Sequence, residues 1–252
     1  MNNEEKNSMK VGRKVVALTS ALLVFAFGLL YSGRTVSAAS AGQVTGTVKL
    51  DGTAPHQKPI DMGKEPSCAA VHKDKPVTTE NVVVGANGGL ANVVVYISQG
   101  LTGNEAAASS QPVQLEQKGC QYLPHVVVVD AGQHLKIVNA DQTSHNIYPQ
   151  ATKNPPWNKS QPPGAQPLDA TWTNEEIAIP VKCNVHPWMR AYIAVVKGPY
   201  GVSDDSGSFK LDNVPPGTYT LTAWHETYGT QTQNVTVAAG KPAAVNFTFK
   251  AK

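Results

Sequence analysis

Short apolar runs rich in Val, Ile and Thr recur along this chain and are separated by turns that contain Gly and Pro. Examples are VTGTVKL, LANVVVYIS, PHVVVVD and TYTLTAWHE. Runs with many β-branched side chains are typical of strands, and the 21 Gly and 18 Pro among 252 residues supply the turns between them. Charged residues make up only 15%, against roughly 25% in an average soluble domain. The sequence therefore predicts an all-β fold.

Two broad functional classes are disfavoured by composition and motifs. The formal net charge is +3, and basic residues form no run after residue 14, whereas nucleic-acid binding usually needs a basic patch. The motifs GxSxG and HExxH and a phosphate-binding glycine loop are missing from the sequence. We therefore expect neither a nucleic-acid partner nor an enzyme.

The first 39 residues have the pattern of an export signal. Basic residues precede an apolar run from Val15 to Tyr31, and small residues surround Ala39. We predict a signal peptide over residues 1–39. An uncleaved membrane anchor is the alternative, because the run reaches the lower length limit for crossing a bilayer. Either way, the rest of the chain is expected in the periplasm or outside the cell, and in contact with a membrane only through a retained anchor.

Three cysteines are present, so one of them has no cysteine partner within the chain. Cys68 and Cys120 lie in polar loop contexts, KEPSCAAVH and EQKGCQYLP, whereas Cys183 has a His and a Met close behind it. Exported chains usually oxidise their spare thiols. We therefore predict a disulfide between Cys68 and Cys120, and a separate role for Cys183.

Four side chains form a donor set for a metal. One follows the strand-like run HLKIVNA, and the other three lie within CNVHPWM, between two apolar runs. One thiolate, two imidazoles and one thioether are the donors of a blue-copper electron-transfer site. A structural zinc site is a distant second, because Met is a poor zinc ligand. The predicted copper ligands are His145, Cys183, His186 and Met189.

Residues 111–199 resemble the cupredoxins, most closely the amicyanin-like group. The ligand loop CNVHPWMR is similar to the family's C-x-P-H-P-F-M-R, and VNADQTSHN is similar to its V-N-x-D-x-x-x-H-N. The resemblance implies a Greek-key sandwich and one copper ion bound by the four residues above. This chain departs from the pattern at Val185, which replaces a Pro, and in residues 149–170. That segment contains six prolines, which predict a long irregular loop.

The same resemblance implies roles for residues around the ligands. The backbone N–H of Asn146 is expected to support the Cys183 sulfur. His186 is expected nearest the surface, where Pro187 and Trp188 would form an apolar patch for docking redox partners such as a c-type cytochrome or an oxidoreductase.

The ends of the chain resemble a different module. The segment DDSGSFKLDNVPPGTYTLTAWH is similar to the second half of a carboxypeptidase regulatory-like, or transthyretin-like, β-sandwich, and Gly46 and Val48 are similar to its opening. The resemblance implies that residues 42–99 and 200–252 form one small sandwich into which the cupredoxin-like block is inserted; two simple tandem domains are the alternative. An insertion at an exposed strand connection costs little stability.

These observations favour an exported type I copper protein that carries single electrons. A carbohydrate-binding or surface adhesion module is one alternative, based on Trp224, Tyr228 and Tyr219 of the terminal module. Copper storage or delivery without electron transfer is another.

Overall fold

The fold of the protein is almost entirely β, as predicted. A computed structural model describes residues 40–103 and 110–252, and this part of the chain contains one α-helix, α1 (Pro66–Val71), and one 3-10 turn (Ala86–Gly88). No helix within it is long and apolar enough to cross a membrane. The predicted export signal lies outside the described residues. The strands are β1 (Gly42–Asp51), β2 (Val94–Gln99), β3 (Val113–Lys118), β4 (Gln121–Leu123), β5 (Val126–Asp130), β6 (His134–Asn139), β7 (His145–Pro149), β8 (Lys159–Gln161), β9 (Leu168–Thr171), β10 (Glu176–Lys182), β11 (Arg190–Val196), β12 (Tyr200–Val202), β13 (Ser208–Val214), β14 (Gly217–His225), β15 (Gly229–Val237), β16 (Pro242–Ala244) and β17 (Phe247–Lys250).

A first sandwich is built from both ends of the described chain. One of its sheets has the order β13-β1-β16, with β17 also paired to β1, and the other has the order β12-β2-β14-β15. The two strands that precede residue 100 thus pair with strands that follow residue 199. Between the sheets lies an apolar core that includes Val44, Val95, Leu221 and Phe247. The chain leaves this sandwich after β2 and returns to it at β12.

A second sandwich is formed by the strands between β2 and β12. Its larger sheet has the order β5-β11-β10-β7-β8, and its smaller sheet has the order β4-β3-β6-β9. Leu115, Tyr122, Trp172 and Ile193 are among the fully buried side chains between the two sheets. This core lies directly beneath the predicted metal ligands, because Cys183 and Met189 belong to it.

The two sandwiches pack against each other through strands that are buried on both faces. In β5, Val127 and Val129 point into the second core, whereas Val126 and Val128 contact a third cluster that also contains Val94 of β2. Alternate residues of a strand point to opposite faces. The uninterrupted apolar run in PHVVVVD therefore marks a strand that lies between two cores.

One segment of the predicted terminal module packs elsewhere. Ile60, Met62, Cys68 and Val77 contact the core of the second sandwich, although they precede residue 100. The backbone N–H of Ile60 donates to the Val77 carbonyl at 2.9 Å, which closes the segment into a loop that contains α1. We call residues 60–77 the cover, because it lies over part of the donor cluster described below.

The proline-rich segment 149–170 contains regular structure, contrary to the prediction of an irregular loop. Strand β8 pairs with β7, and strand β9 pairs with β6. Both strands are short and lie at sheet edges, where neighbouring prolines are tolerated because an edge strand uses only part of its backbone for pairing. The start of the segment is held by the buried carboxylate of Glu176, which accepts backbone N–H groups of Thr152 at 2.5 Å and of Lys153 and Asn154 at 3.0 Å.

These hydrogen bonds predict a specific loss of stability in acid. Burial raises the pKa of Glu176, but the hydrogen bonds from Thr152, Asn154 and Lys153 outweigh burial and lower it to about 2. The ordinary Glu pKa is about 4.3, so the carboxylate stabilises the fold above that pH by about 3 kcal/mol, and this contribution is lost as the pH falls towards 2. Glu176→Gln should flatten the pH dependence of the unfolding free energy between about pH 5 and pH 2.

Denaturant unfolding at a series of pH values measures this effect. The adjacent substitution Glu175→Gln is the matched control and should keep the acid-dependent loss. If the free energy of unfolding of Glu176→Gln has the same slope against pH as that of the unmodified protein, the carboxylate does not hold the segment 149–170.

Candidate metal centre

Pairing of β7 with β10 brings the first two predicted ligands together. His145 is the first residue of β7, and Cys183 follows directly after β10. The two strands are antiparallel neighbours, with Tyr148 opposite Lys182 and Pro149 opposite Val181. Both side chains therefore lie at the same end of the larger sheet of the second sandwich.

The other two predicted ligands lie on the loop that connects β10 to β11. The backbone N–H of Met189 donates to the carbonyl of His186 at 2.9 Å, and the N–H of Cys183 faces the carbonyl of Met189 at 3.4 Å. The N–H of His186 points to the Cys183 sulfur at 3.4 Å. These bonds fold residues 183–189 into a tight turn, which we call the ligand loop, and they direct its donors towards the core.

Three of the four predicted donors converge on one point. Nδ1 of His145 lies 3.0 Å from Nδ1 of His186, which lies 3.9 Å from Sγ of Cys183, and all three atoms are within 4.8 Å of one another. The two histidines are 0% exposed and Cys183 is 3% exposed. Met189, 1% exposed, is buried in the same core as Cys183. A metal ion held about 2.0–2.3 Å from each donor requires N···N and N···S separations of about this size.

The environment favours the protonation states that a metal site needs. Burial raises the pKa of the Cys183 thiol, but hydrogen bonds from His145 and from the backbone of His186 and Asn146 outweigh burial and bring the pKa below its ordinary value. Burial and the neighbouring charge of His145 lower the pKa of His186. A thiolate and a neutral imidazole are the forms that bind metals. The residues present therefore fit a copper ion.

Asp141 orients His145, a role that the sequence analysis did not assign. Its Oδ2 lies 2.7 Å from Nε2 of His145, so Nε2 carries the proton and Nδ1 is left free towards the other donors. Burial lowers the pKa of His145, but its hydrogen bonds with Asp141 and Cys183 outweigh burial and raise it. The spacing D-x-x-x-H in the matched motif was the available signal. Spacing alone does not show which nitrogen of the imidazole the Asp contacts.

Asn146 contacts the ligand loop in two ways. Its backbone hydrogen-bonds the Cys183 thiolate, the contact expected from the sequence. Its side-chain Oδ1 also accepts the backbone N–H of Asn184 at 3.0 Å. Asn146 therefore holds the backbone of Asn184, the residue after Cys183, in place. This hydrogen bond connects β7 to the ligand loop.

The expectation that His186 lies nearest the surface is wrong. His186 is fully buried, because the cover lies over the ring: Nε2 is 3.7 Å from Sγ of Cys68 and 3.9 Å from a carboxylate oxygen of Glu65. Cys68 is bonded to Cys120, so the predicted disulfide is present and is itself part of this covering layer. Glu65 was not recognised from the sequence, because it is 121 residues before the ligand it faces.

The predicted docking residues lie beside this layer. Pro187 is exposed, and Trp188 is half-buried with its indole N–H donating to the Cys120 carbonyl at 3.0 Å. The Trp188 ring lies 5.2 Å from the ring of His186. Trp188 therefore contacts both the backbone of Cys120 and the ring of His186.

Comparison with known proteins gives one family match and several similar solved structures. Residues 188–250 match the family described as "Carboxypeptidase regulatory-like domain", so the match begins before the predicted boundary at residue 200 and does not reach β1 or β2. No curated protein matches the chain significantly.

Among solved structures, amicyanin from Paracoccus versutus is similar over 40% of this chain and 97% of its own, with 18% identity and a TM-score of 0.31. A purple cupredoxin from Nitrosopumilus maritimus is similar over 33% of this chain and 99% of its own, with 17% identity and a TM-score of 0.29. A copper-containing nitrite reductase from Thermus scotoductus SA-01 is similar over 40% of this chain but only 26% of its own, with 20% identity and a TM-score of 0.32.

The covering layer makes a prediction about access to His186. In the metal-free protein, diethyl pyrocarbonate should modify the exposed His134 but not His186, because reagents reach only accessible imidazoles. The double substitution Cys68→Ala with Cys120→Ala should make His186 reactive. Since the disulfide joins residues 52 positions apart, its removal should also lower the free energy of unfolding by about 4 kcal/mol.

Mass spectrometry of the modified peptides gives the readout, with His134 as the internal control in both proteins. Continued protection of His186 in the folded double variant would mean that packing of the cover, and not the disulfide, closes the site.

Proposed function

We propose that this protein is an exported type I copper protein that carries single electrons between redox partners. The observation that supports this most is the convergence of one thiol sulfur and two imidazole Nδ1 atoms in a site closed to water. Copper, when bound, supplies reversible exchange between Cu(II) and Cu(I), and the donor set of soft sulfur and imidazole nitrogen suits both states.

The chain's own residues perform three tasks at this site. Cys183, His145, His186 and Met189 would hold the copper ion through one thiolate, two imidazoles and one thioether. Asp141 and Asn146 hold His145 and Cys183 in place through hydrogen bonds. The cover and Trp188 exclude water from the His186 side.

Two features of the structure bear on the alternative functions, which are carbohydrate binding or adhesion and copper storage or delivery. A carbohydrate-binding surface on the first sandwich would need exposed aromatic side chains, but Trp224 and Tyr219 are 8% and 4% exposed, and only Tyr228 of the three is partly exposed. Copper delivery requires ligand exchange with an acceptor, and the disulfide-linked cover shields the ligand His186 from such exchange. Both observations favour the electron carrier.

The visible spectrum tests the proposal directly. With Cu(II), the protein should show an intense charge-transfer band, because the Cys183 thiolate would donate electron density to the bound metal. Cys183→Ser and His145→Gln should each abolish the band without unfolding the protein. His134→Gln is the matched control: this histidine also faces a carboxylate, that of Asp169 at 2.9 Å, but lies on the surface and should not affect the colour. Colourless Cu(II) binding by the unmodified protein would refute the assignment.

Partner docking is proposed on the ligand loop, where Val185 is 47% exposed and Pro187 and Trp188 adjoin it. Electron-transfer partners use small contacts that dissociate quickly, so one charge introduced into an apolar contact slows association. Val185→Lys should reduce the rate of exchange with a redox partner several-fold and leave the visible spectrum unchanged. The matched control is Val71→Lys on α1, where Val71 is 63% exposed.

Stopped-flow reduction by a c-type cytochrome measures both variants. If Val71→Lys slows exchange and Val185→Lys does not, partners dock on the cover and the proposed patch is wrong.

A further inference from the structure

A cavity lined by polar and apolar side chains lies beside the ligand loop. It has a volume of about 210 Å³ and is bounded on one side by Trp188 and Met189 of that loop. On other sides it is lined by Glu80, from the segment that follows the cover, and by His125, directly before β5. The copper assignment uses neither Glu80 nor His125.

His125 has a buried imidazole, and one of its two ring nitrogens contacts a carboxylate. The side chain is 5% exposed, and its Nε2 lies 2.5 Å from a carboxylate oxygen of Glu226, which is itself 8% exposed. Glu226 also hydrogen-bonds the hydroxyl group of Tyr192. A carboxylate in contact with Nε2 places the ring proton there, which leaves the lone pair of the imidazole on Nδ1.

The side chain of His125 lines the cavity, and its Nδ1 makes no hydrogen bond to the part of the chain that the structure describes. Its nearest acidic neighbour is Oε2 of Glu80 at 3.8 Å, which is too long for a hydrogen bond. Among residues 40–103 and 110–252, no other group hydrogen-bonds this atom. Because the residue lines the cavity, an ion that enters the cavity can reach this nitrogen.

The charges around this cavity favour a cation. Burial raises the pKa of Glu80, the charge of His125 lowers it, and the nearby carboxylates of Glu226 and Asp205 raise it again. The pKa of Glu80 is therefore above its ordinary value, mainly because the carboxyl group is buried. The one basic side chain on the rim, Arg190, is exposed to solvent.

We propose that Nδ1 of His125 and the carboxylate of Glu80 bind a second divalent transition-metal ion, such as Zn(II), with water completing its coordination. An ion about 2.0–2.2 Å from each ligand atom fits between two atoms 3.8 Å apart. The contact between Glu226 and Nε2 is the carboxylate–histidine pair that commonly supports a metal-ligating imidazole. The ion links a residue of the second sandwich to the segment that follows the cover, next to the ligand loop.

Isothermal titration of the metal-free protein with Zn(II) tests the proposal, since zinc also binds the thiolate and imidazoles of the first site. The unmodified protein should bind two ions. Glu80→Gln and His125→Gln should each bind one, or bind the second ion at least tenfold more weakly. Glu80→Gln keeps the His125–Glu226 contact, so it gives an answer even if His125→Gln fails to fold.

Two further proteins make the outcome specific. The combined substitution His145→Gln with Cys183→Ser removes the first site and should leave one ion, bound with the affinity of the second site. His134→Gln, at a surface His–Asp pair, should still bind two ions. A single ion in the unmodified protein, or two ions of unchanged affinity in Glu80→Gln, would overturn the second site. Neither result bears on the blue-copper assignment, which is read from the visible spectrum.

Discussion

The arrangement of the metal centre depends on one carboxylate, that of Asp141. Its two oxygens accept the backbone N–H groups of Gly119 at 2.7 Å and Cys120 at 2.8 Å, and one of them also contacts Nε2 of His145. Cys120 is bonded to Cys68 of the cover, so a single side chain connects the covering layer to the orientation of a ligand. The candidate metal site and the cover are therefore connected through Asp141 and the disulfide, although they come from distant parts of the chain.

The sequence allowed a set of candidate donors to be named because most of them lie close together in the chain. Cys183, His186 and Met189 lie within seven positions, and His145 follows a recognisable strand that pairs with the strand before Cys183. The cover was not predicted, because the contact between Cys68 and His186 spans 118 positions and α1 is a single short helix in a turn-rich segment. Pairing Cys68 with Cys120 already connected the two regions, but spacing alone did not show that this disulfide lies against His186.

The strands themselves were visible in the sequence, but the junction between the two sandwiches was not. An apolar run such as PHVVVVD predicts a buried strand without saying what covers each of its faces. In the structure, one face of β5 belongs to the second core, and the other packs with Val94 of β2 and Trp224 of β14. The short edge strands β8 and β9 were missed for a different reason. Their three or four residues lie among prolines, and their pairing depends on β7 and β6.

Through this junction, residues of the first sandwich contact residues of the second that lie near the ligand loop. Strand β14 carries Trp224, whose ring packs 5.2 Å from that of Tyr192, and the turn that follows β14 supplies Glu226 to His125. Tyr192 lies in β11, three residues after Met189 of the ligand loop. Because β14 is paired along its length with β2 and β15, it is a rigid support for both contacts. A displacement of the first sandwich would therefore act on the start of β11, which leads directly from the ligand loop.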